Sequence, residues 1–363
     1  MSACRADGSD YRRRDQRLLG TIWLRALVVI AVAFAVAVTM LSTALVEPSE
    51  AQTLRDDFTG PGFSTDIWYP CFRDENVLSI VPVPERGFNA AMLLVNPRKD
   101  IESIAWSSRH SGCRQRVGAS YRRDNKEERA ELWEADSKHL KFGTEVWYRF
   151  SMYIDPTIPR TDGNRLVIGE WKEDGGHSPM VAQRFVNRHF TITIEQDNDS
   201  PARMKGDDDC RILVAHDEGL PTSGLTDFDD GTGLRLAALS LQDGFVIASD
   251  GHDRLDIPYD GATGSSPCAT DIRIGSFRNL PNVFGRWTVM MYHLRASVDG
   301  DGILEVWANG LPIVSVSGRI GFRDHRTGRQ YFKFGPYRDH VAYSTYAMLA
   351  TFARGPTRAD VDQ

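Results

Sequence analysis

Near its C-terminus the chain reads Gln330-Tyr331-Phe332-Lys333-Phe334-Gly335-Pro336-Tyr337-Arg338. In an extended strand the side chains alternate between faces, so Tyr331, Lys333 and, past the glycine, Tyr337 share one side, and Phe332 and Phe334 the other. The phenylalanine side suits a core. The other side offers a phenol able to give or take a proton, with Lys333 and Arg338 as cations for an anion or a phenolate. An unperturbed phenol titrates near ~10, so such a tyrosine needs nearby positive charge to serve as a base at neutral pH. An ordinary solvated strand face has the same alternation, so other residues must decide.

Two further stretches repeat the layout. Glu128-Arg129-Ala130-Glu131-Leu132 places Arg129 and Glu131 on one face and Ala130 and Leu132 on the other, and Glu170-Trp171-Lys172 places Glu170 and Lys172 opposite Trp171. His177, beyond Gly175-Gly176, is within reach as an imidazole. Brought together, these residues would form a cationic patch with carboxylates in it and a tyrosine beside it.

The elements that must position them are strands. From Thr53 onward the chain alternates in short segments broken by Gly, Pro, Asn and Asp, without a sustained helical period. Strands are expected at 78–83, 90–95, 128–132, 145–154, 166–172, 180–185, 190–195, 286–296, 303–308, 311–317 and 342–353. Asn309-Gly310 between two alternating runs is a strong hairpin signal. The fold class is all-β: a two-sheet antiparallel β-jelly-roll sandwich, concanavalin-like, with a concave substrate groove. One domain is expected over residues 52–353, with an irregular insert at about 197–271 decorating a sheet edge and a polar tail at 354–363.

Of 363 residues a quarter are charged and 41% hydrophobic, enough for a large core. Arg12, Arg13, Arg14, Arg17 and Arg25 precede an apolar run at 26–46, and Ser49-Glu50-Ala51 supplies small residues for cleavage. Residues 1–51 therefore read as an export signal, and the protein as secreted or periplasmic. The same run left uncleaved would be a membrane anchor. The net charge is −6, and beyond residue 51 there are 37 basic residues against 44 acidic. An acidic protein of this kind is not a nucleic-acid binder, and an anionic substrate must be met by a local basic patch.

Past the leader lie Cys71, Cys113, Cys210 and Cys268, an even set suited to two disulfides in an oxidising compartment. Of three possible pairings, Cys71–Cys113 with Cys210–Cys268 is expected, each closing one local excursion. No cysteines lie close enough to form a paired metal-ligand motif. No cofactor is expected, although Asp227, Asp229 and Asp230 have the composition of a calcium loop. A monomer is expected.

In that order, Arg129-Ala130-Glu131-Leu132, Glu170-Trp171-Lys172 and Tyr331 to Arg338 resemble the three blocks of the jelly-roll polysaccharide lyases, the group of heparin lyase I, glucuronan lyase and the alginate lyases with a Tyr-Phe-Lys-x-Gly-x-Tyr strand. The resemblance runs from about Asp57 to Phe352. It implies a lyase that cuts an anionic, uronate-containing polysaccharide by β-elimination. Tyr337 would act as base and acid, with Arg129, Lys333 and Lys172 handling charge and Glu131, Glu170, Tyr331, Arg338 and His177 binding substrate. Relatives carry Gln-x-His where this chain has Glu170 and Lys172, which leaves the base open. A non-catalytic carbohydrate-binding protein on the same scaffold is the competing class. No closely spaced acidic pair on one strand favours a two-carboxylate hydrolase.

Overall fold

In a computed structural model the described residues are 51–72, 78–97, 127–159, 165–174, 178–186, 188–199, 209–218, 228–229, 235–238, 245–247, 271–325, 328–339 and 341–362. The leader, Cys113, Cys268, His177, Asp227 and Asp230 lie outside them. Among the described residues no helix is long and apolar enough to cross a membrane.

Among the described residues twenty strands run in chain order: β1 Leu54–Asp56, β2 Trp68–Phe72, β3 Leu78–Val83, β4 Phe88–Val95, β5 Glu127–Glu134, β6 Leu140–Lys141, β7 Val146–Ile154, β8 Leu166–Glu173, β9 Val181–Val186, β10 His189–Asp197, β11 Asp209–His216, β12 Phe228–Asp229, β13 Arg235–Ala238, β14 Phe245–Ile247, β15 Ile272–Ser276, β16 Trp287–Arg295, β17 Ser297–Ala308, β18 Leu311–Ile320, β19 Arg329–Asp339 and β20 Thr345–Gly355. They form two sheets. Sheet I has the order β14-β15-β18-β17-β16-β7-β20-β4-β3 with β1 on β20, and sheet II the order β12-β13-β11-β10-β9-β8-β19-β5-β2 with β6 on β19. The chain crosses repeatedly between them, so β4, β7 and β20 neighbour one another in sheet I while β5, β8 and β19 do so in sheet II. This is the expected jelly-roll sandwich.

The inward face of sheet II shows why β19 lies where it does. Phe332 and Phe334 are fully buried, and the Phe332 ring lies 4.8 Å from Trp171, 5.3 Å from Phe150 and 5.9 Å from Phe352. Burying such a ring stabilises the fold by roughly 3 kcal/mol. Two buried ion pairs fix the ends of β5 against its surroundings: Glu134 holds Arg354 at 2.8 Å and accepts the Phe332 amide at 3.0 Å, and Glu128 holds Arg338 at 2.9 Å.

The insert carries more order than its composition suggests. Asp209–His216 forms strand β11, paired antiparallel to β10 with one bulge at Val214, and Cys210, Ile212 and Val214 lie in the core. The expected polar tail continues β20 to Gly355 and ends in a one-turn helix, Arg358–Val361, with a Thr357 and Asp360 capping box and Val361 sealed against Met291 and Ala353. Cys71 and Cys210 are both buried, on strands six places apart in sheet II. At about 4.8 Å per strand they cannot bond each other.

Candidate active site on the outer face of sheet II

Strands β5, β19 and β8 lie side by side, and the register aligns the three blocks. Lys333 pairs with Trp133 on one side and Glu170 on the other, Tyr337 with Arg129 and Val167, and Tyr331 with Lys172. Arg129, Glu131, Trp133, Glu170, Lys172, Tyr331, Lys333 and Tyr337 therefore share the outer face.

Two glycines permit this arrangement. Gly335 has φ +132°, and a Cβ there would stand 2.1 Å from the Ala130 carbonyl oxygen, so only glycine lets β19 run this close to β5 before Tyr337. In β8 the pairing with β9 shifts between Val167 and Gly169. The bulge leaves Leu166, Ile168 and Trp171 all in the core, while Gln183 fills the space where a Gly169 side chain would be and bonds Tyr292 of sheet I at 2.7 Å. The extra residue reverses the alternation, so Arg165 arrives on the same face as Glu170 and Lys172.

The patch has two depths. Below, Lys333 contacts Glu131 at 3.3 Å and is also paired with Glu170. All three are sealed, at 4%, 1% and 3% exposure. Trp133 Nε1 donates to Glu131 at 3.1 Å and Lys333 stands 4.8 Å over the Trp133 ring. Burial raises the Glu131 carboxyl above its usual range, with Lys333 and Arg129 opposing. Burial acts the same way on Glu170, but Lys333 and Lys172 overcome it and hold that carboxyl low. The Lys333 amine is held protonated by the two glutamates against the cost of its own burial.

Above lie the groups with some exposure: Arg129, Lys172 and Tyr337. Arg129 reaches Glu131 at 3.5 Å and its Cζ lies 4.3 Å from the Tyr337 ring centroid. Arg165 Cζ lies 4.5 Å from the same centroid and Lys333 Nζ 5.9 Å. The Lys172 amine is pushed down to about 8, by burial first and then by Lys333, with Glu170 and Glu195 opposing. Three cations, Arg129, Lys172 and Lys333, thus face Glu131 and Glu170, while Glu195 is already paired with Arg184 and Arg211, and the patch keeps a positive excess suited to one further carboxylate from outside.

Arg338 does not join them. It turns to the inner face, where Glu128, Thr345 and the Val95 carbonyl bind it and Tyr343 stands 5.4 Å from its Cζ. Its parity in the strand is opposite to that of Tyr337, which is the physical reason. Tyr331 is on the outer face but is largely covered, stacked on His139 at 4.3 Å. His139, which follows a 3₁₀ turn at Asp136–Lys138, lies within 3.2 Å of Asp174 and 3.0 Å of the Glu134 carbonyl. Neither His139 nor Arg165 stands out in the sequence, one being a single histidine in a turn and the other reaching the face through a bulge. Among the described residues no cluster of His, Cys, Asp or Glu could hold a metal ion. A cavity of about 660 Å³ lies elsewhere, lined by Arg188, His189, Asp217, Arg278, Phe284 and Leu311 among others, and shares no residue with this patch.

A family model described as polysaccharide lyase matches residues 99–357. A search of curated proteins finds no match. Among solved structures the chain is similar to an endo-β-1,4-glucuronan lyase from the fungus Trichoderma reesei, at 12% identity and TM-score 0.45, covering 86% of this chain and 99% of that one. It is also similar to alginate lyase A1-II′, a member of polysaccharide lyase family-7, at 13% identity and TM-score 0.39, covering 80% and 94%, and to an alginate lyase from Klebsiella pneumoniae, at 10% identity and TM-score 0.37, covering 79% and 87%. These likenesses are distant, and the assignment rests on the family match. That match spans all three blocks, from Arg129 to Tyr337, and the chain belongs to the polysaccharide lyase family.

Proposed function

We propose that this polysaccharide lyase acts outside the cytoplasm on a uronate-bearing polymer laid across β5, β19 and β8. The observation that carries the reading is the layering of the patch: Arg129, Lys172 and Tyr337 reach the surface together over a sealed Glu131–Lys333–Glu170 bridge.

The C5 proton of a uronate becomes removable only when its carboxylate is neutralised, because the developing charge delocalises onto that group. Arg129 and Lys172 neutralise it. The Tyr337 phenolate takes the C5 proton, the C–H electrons form the C4–C5 double bond, and the C4–O glycosidic bond breaks. On a syn path the leaving oxygen takes the same proton back from the Tyr337 hydroxyl, restoring the phenolate. Lys333, Glu131 and Glu170 hold the patch in register from beneath, and the half-buried Trp133 lends it aromatic surface for sugar rings.

Export through residues 1–51 and two disulfides, Cys71–Cys113 and Cys210–Cys268, belong to the same proposal. The buried positions of Cys71 and Cys210 on distant strands are compatible with this pairing, because they exclude a bond between those two.

The test is a panel of glucuronan, alginate and heparin with the purified protein. Rising ultraviolet absorbance from an unsaturated uronate on one of them is the expected result. Retention of a polymer without that absorbance would make the protein a carbohydrate binder, and new reducing ends without it would make it a hydrolase.

A further inference from the structure

Arg165 has a defined seat. Its guanidinium lies 2.9 Å from Asp339 Oδ1, its backbone amide donates to Asp339 Oδ2 at 3.1 Å, and the Asp339 amide donates to the Arg165 carbonyl at 3.1 Å. This three-point contact joins the residue before β8 to the last residue of β19. Arg165 Cζ then stands 4.5 Å from the Tyr337 ring centroid, and Arg129 Cζ 4.3 Å. Arg129 comes from β5 and Arg165 from the start of β8, the strands that flank β19 on its two sides, so the ring is approached by a guanidinium from each side.

Among the described residues, the charged groups seen against the Tyr337 ring are Arg129 from β5, Arg165 from the start of β8 and Lys333 from its own strand. Each carboxylate nearby stands behind a cation: Asp339 binds Arg165, Glu131 binds Arg129 and Lys333, and Glu170 binds Lys333. Cations stacked on the faces of a phenol favour its ionised form and restrict its rotation, and they do so from the faces, not the oxygen edge where chemistry occurs.

We propose that Arg165, seated by Asp339, is a positioning residue that clamps Tyr337 against Arg129 and keeps its oxygen ready to work as a base. This rests on the lyase reading for its catalytic meaning, but the clamp has a readout of its own. The near-ultraviolet phenolate absorbance of the full chain is titrated against pH, and the Tyr337→Phe protein is subtracted to isolate Tyr337. Arg165→Met is expected to move that component upward by about one pH unit. The acid-side limb of kcat/KM on glucuronan should move with it, a roughly tenfold loss of rate below the limb. Arg165→Lys, which keeps the charge but loses the plane, should recover part of the shift.

If Arg165→Met does not fold, Arg165→Gln and Arg165→Lys carry the test, each expected to move the Tyr337 component upward, the lysine variant by less. A Tyr337 component that stays in place in folded variants overturns the proposal. A wild-type protein that yields no unsaturated product from any polyuronate overturns the lyase reading instead, and the absorbance titration still judges the clamp.

Discussion

Lys172 offers the sharpest test of how the patch handles charge. Its amine is held down to about 8, chiefly by burial and by Lys333 close by. If it neutralises the substrate carboxylate it must carry its proton. The protonated fraction falls tenfold for each pH unit above that value, so kcat/KM on a cleaved polyuronate should fall about tenfold per unit on the alkaline side. Lys172→Arg carries a charge that persists beyond about pH 12, so the alkaline limb should disappear from the accessible range while the neutral rate survives. Lys172→Met removes the charge, and loss of one such electrostatic contact costs about 10²- to 10³-fold in kcat. The assay is the initial rate of unsaturated product from neutral to alkaline pH in the three proteins. A wild-type rate that climbs through pH 8, together with a dead Lys172→Arg, would refute the reasoning, because a neutral amine would then be the base.

Three other expectations follow from the same geometry. Tyr337→Phe removes only the phenolic oxygen, so turnover should vanish while melting temperature and polymer retention on an affinity gel stay near wild type. Lys333→Met strands Glu131 and Glu170 together below the surface, and urea unfolding at neutral pH should show a loss of about 3–5 kcal/mol. Without the amine both carboxyls would be raised in the fold, so stability should return as pH falls below their unfolded range and be lost again as pH rises through the raised values. Gly335→Ala meets both a left-handed backbone and the Ala130 carbonyl at 2.1 Å; a loss of roughly 3 kcal/mol or more, read by thermal melting, is expected, with activity falling alongside.

The strands were legible because they alternate cleanly. Phe332 and Phe334 against Lys333, and Ala130 and Leu132 against Arg129 and Glu131, mark an inside and an outside on sequence alone, and the structure places them so. Asn309-Gly310 marked its hairpin for the same local reason. What escaped were features that depend on contacts between distant segments. β11 lies in a stretch whose acidic flanks mask a short apolar run, and Val361 is buried only because β20 carries the C-terminus back across Met291. The Ile168–Gly169 bulge leaves no periodic trace, so Arg165 could not be assigned a face. Arg338 shows the converse: its charge drew it toward the patch, whereas its parity sent it inward to Glu128.

Alternation reveals a face but not a depth, and depth explains the unusual middle block. A glutamate facing a uronate would repel it if its charge were free. Glu170 is sealed against Lys333, and its charge is spent there rather than on the substrate. The resemblance to the jelly-roll lyases sets Gln and His at 170 and 172, a neutral pair, whereas Glu170 and Lys172 add one negative and one positive charge. The two changes therefore cancel only as a pair. Glu170→Gln alone leaves Lys172 and Lys333 facing each other with one counterion fewer, and Lys172→His alone leaves Glu170 with one cation fewer. A double-mutant cycle should accordingly find Glu170→Gln with Lys172→His closer to wild-type rate than the sum of the single losses, by about 1 kcal/mol or more of coupling in kcat/KM. Additive losses would mean that the two side chains do not share charge, and that the block is a coincidence of two independent substitutions.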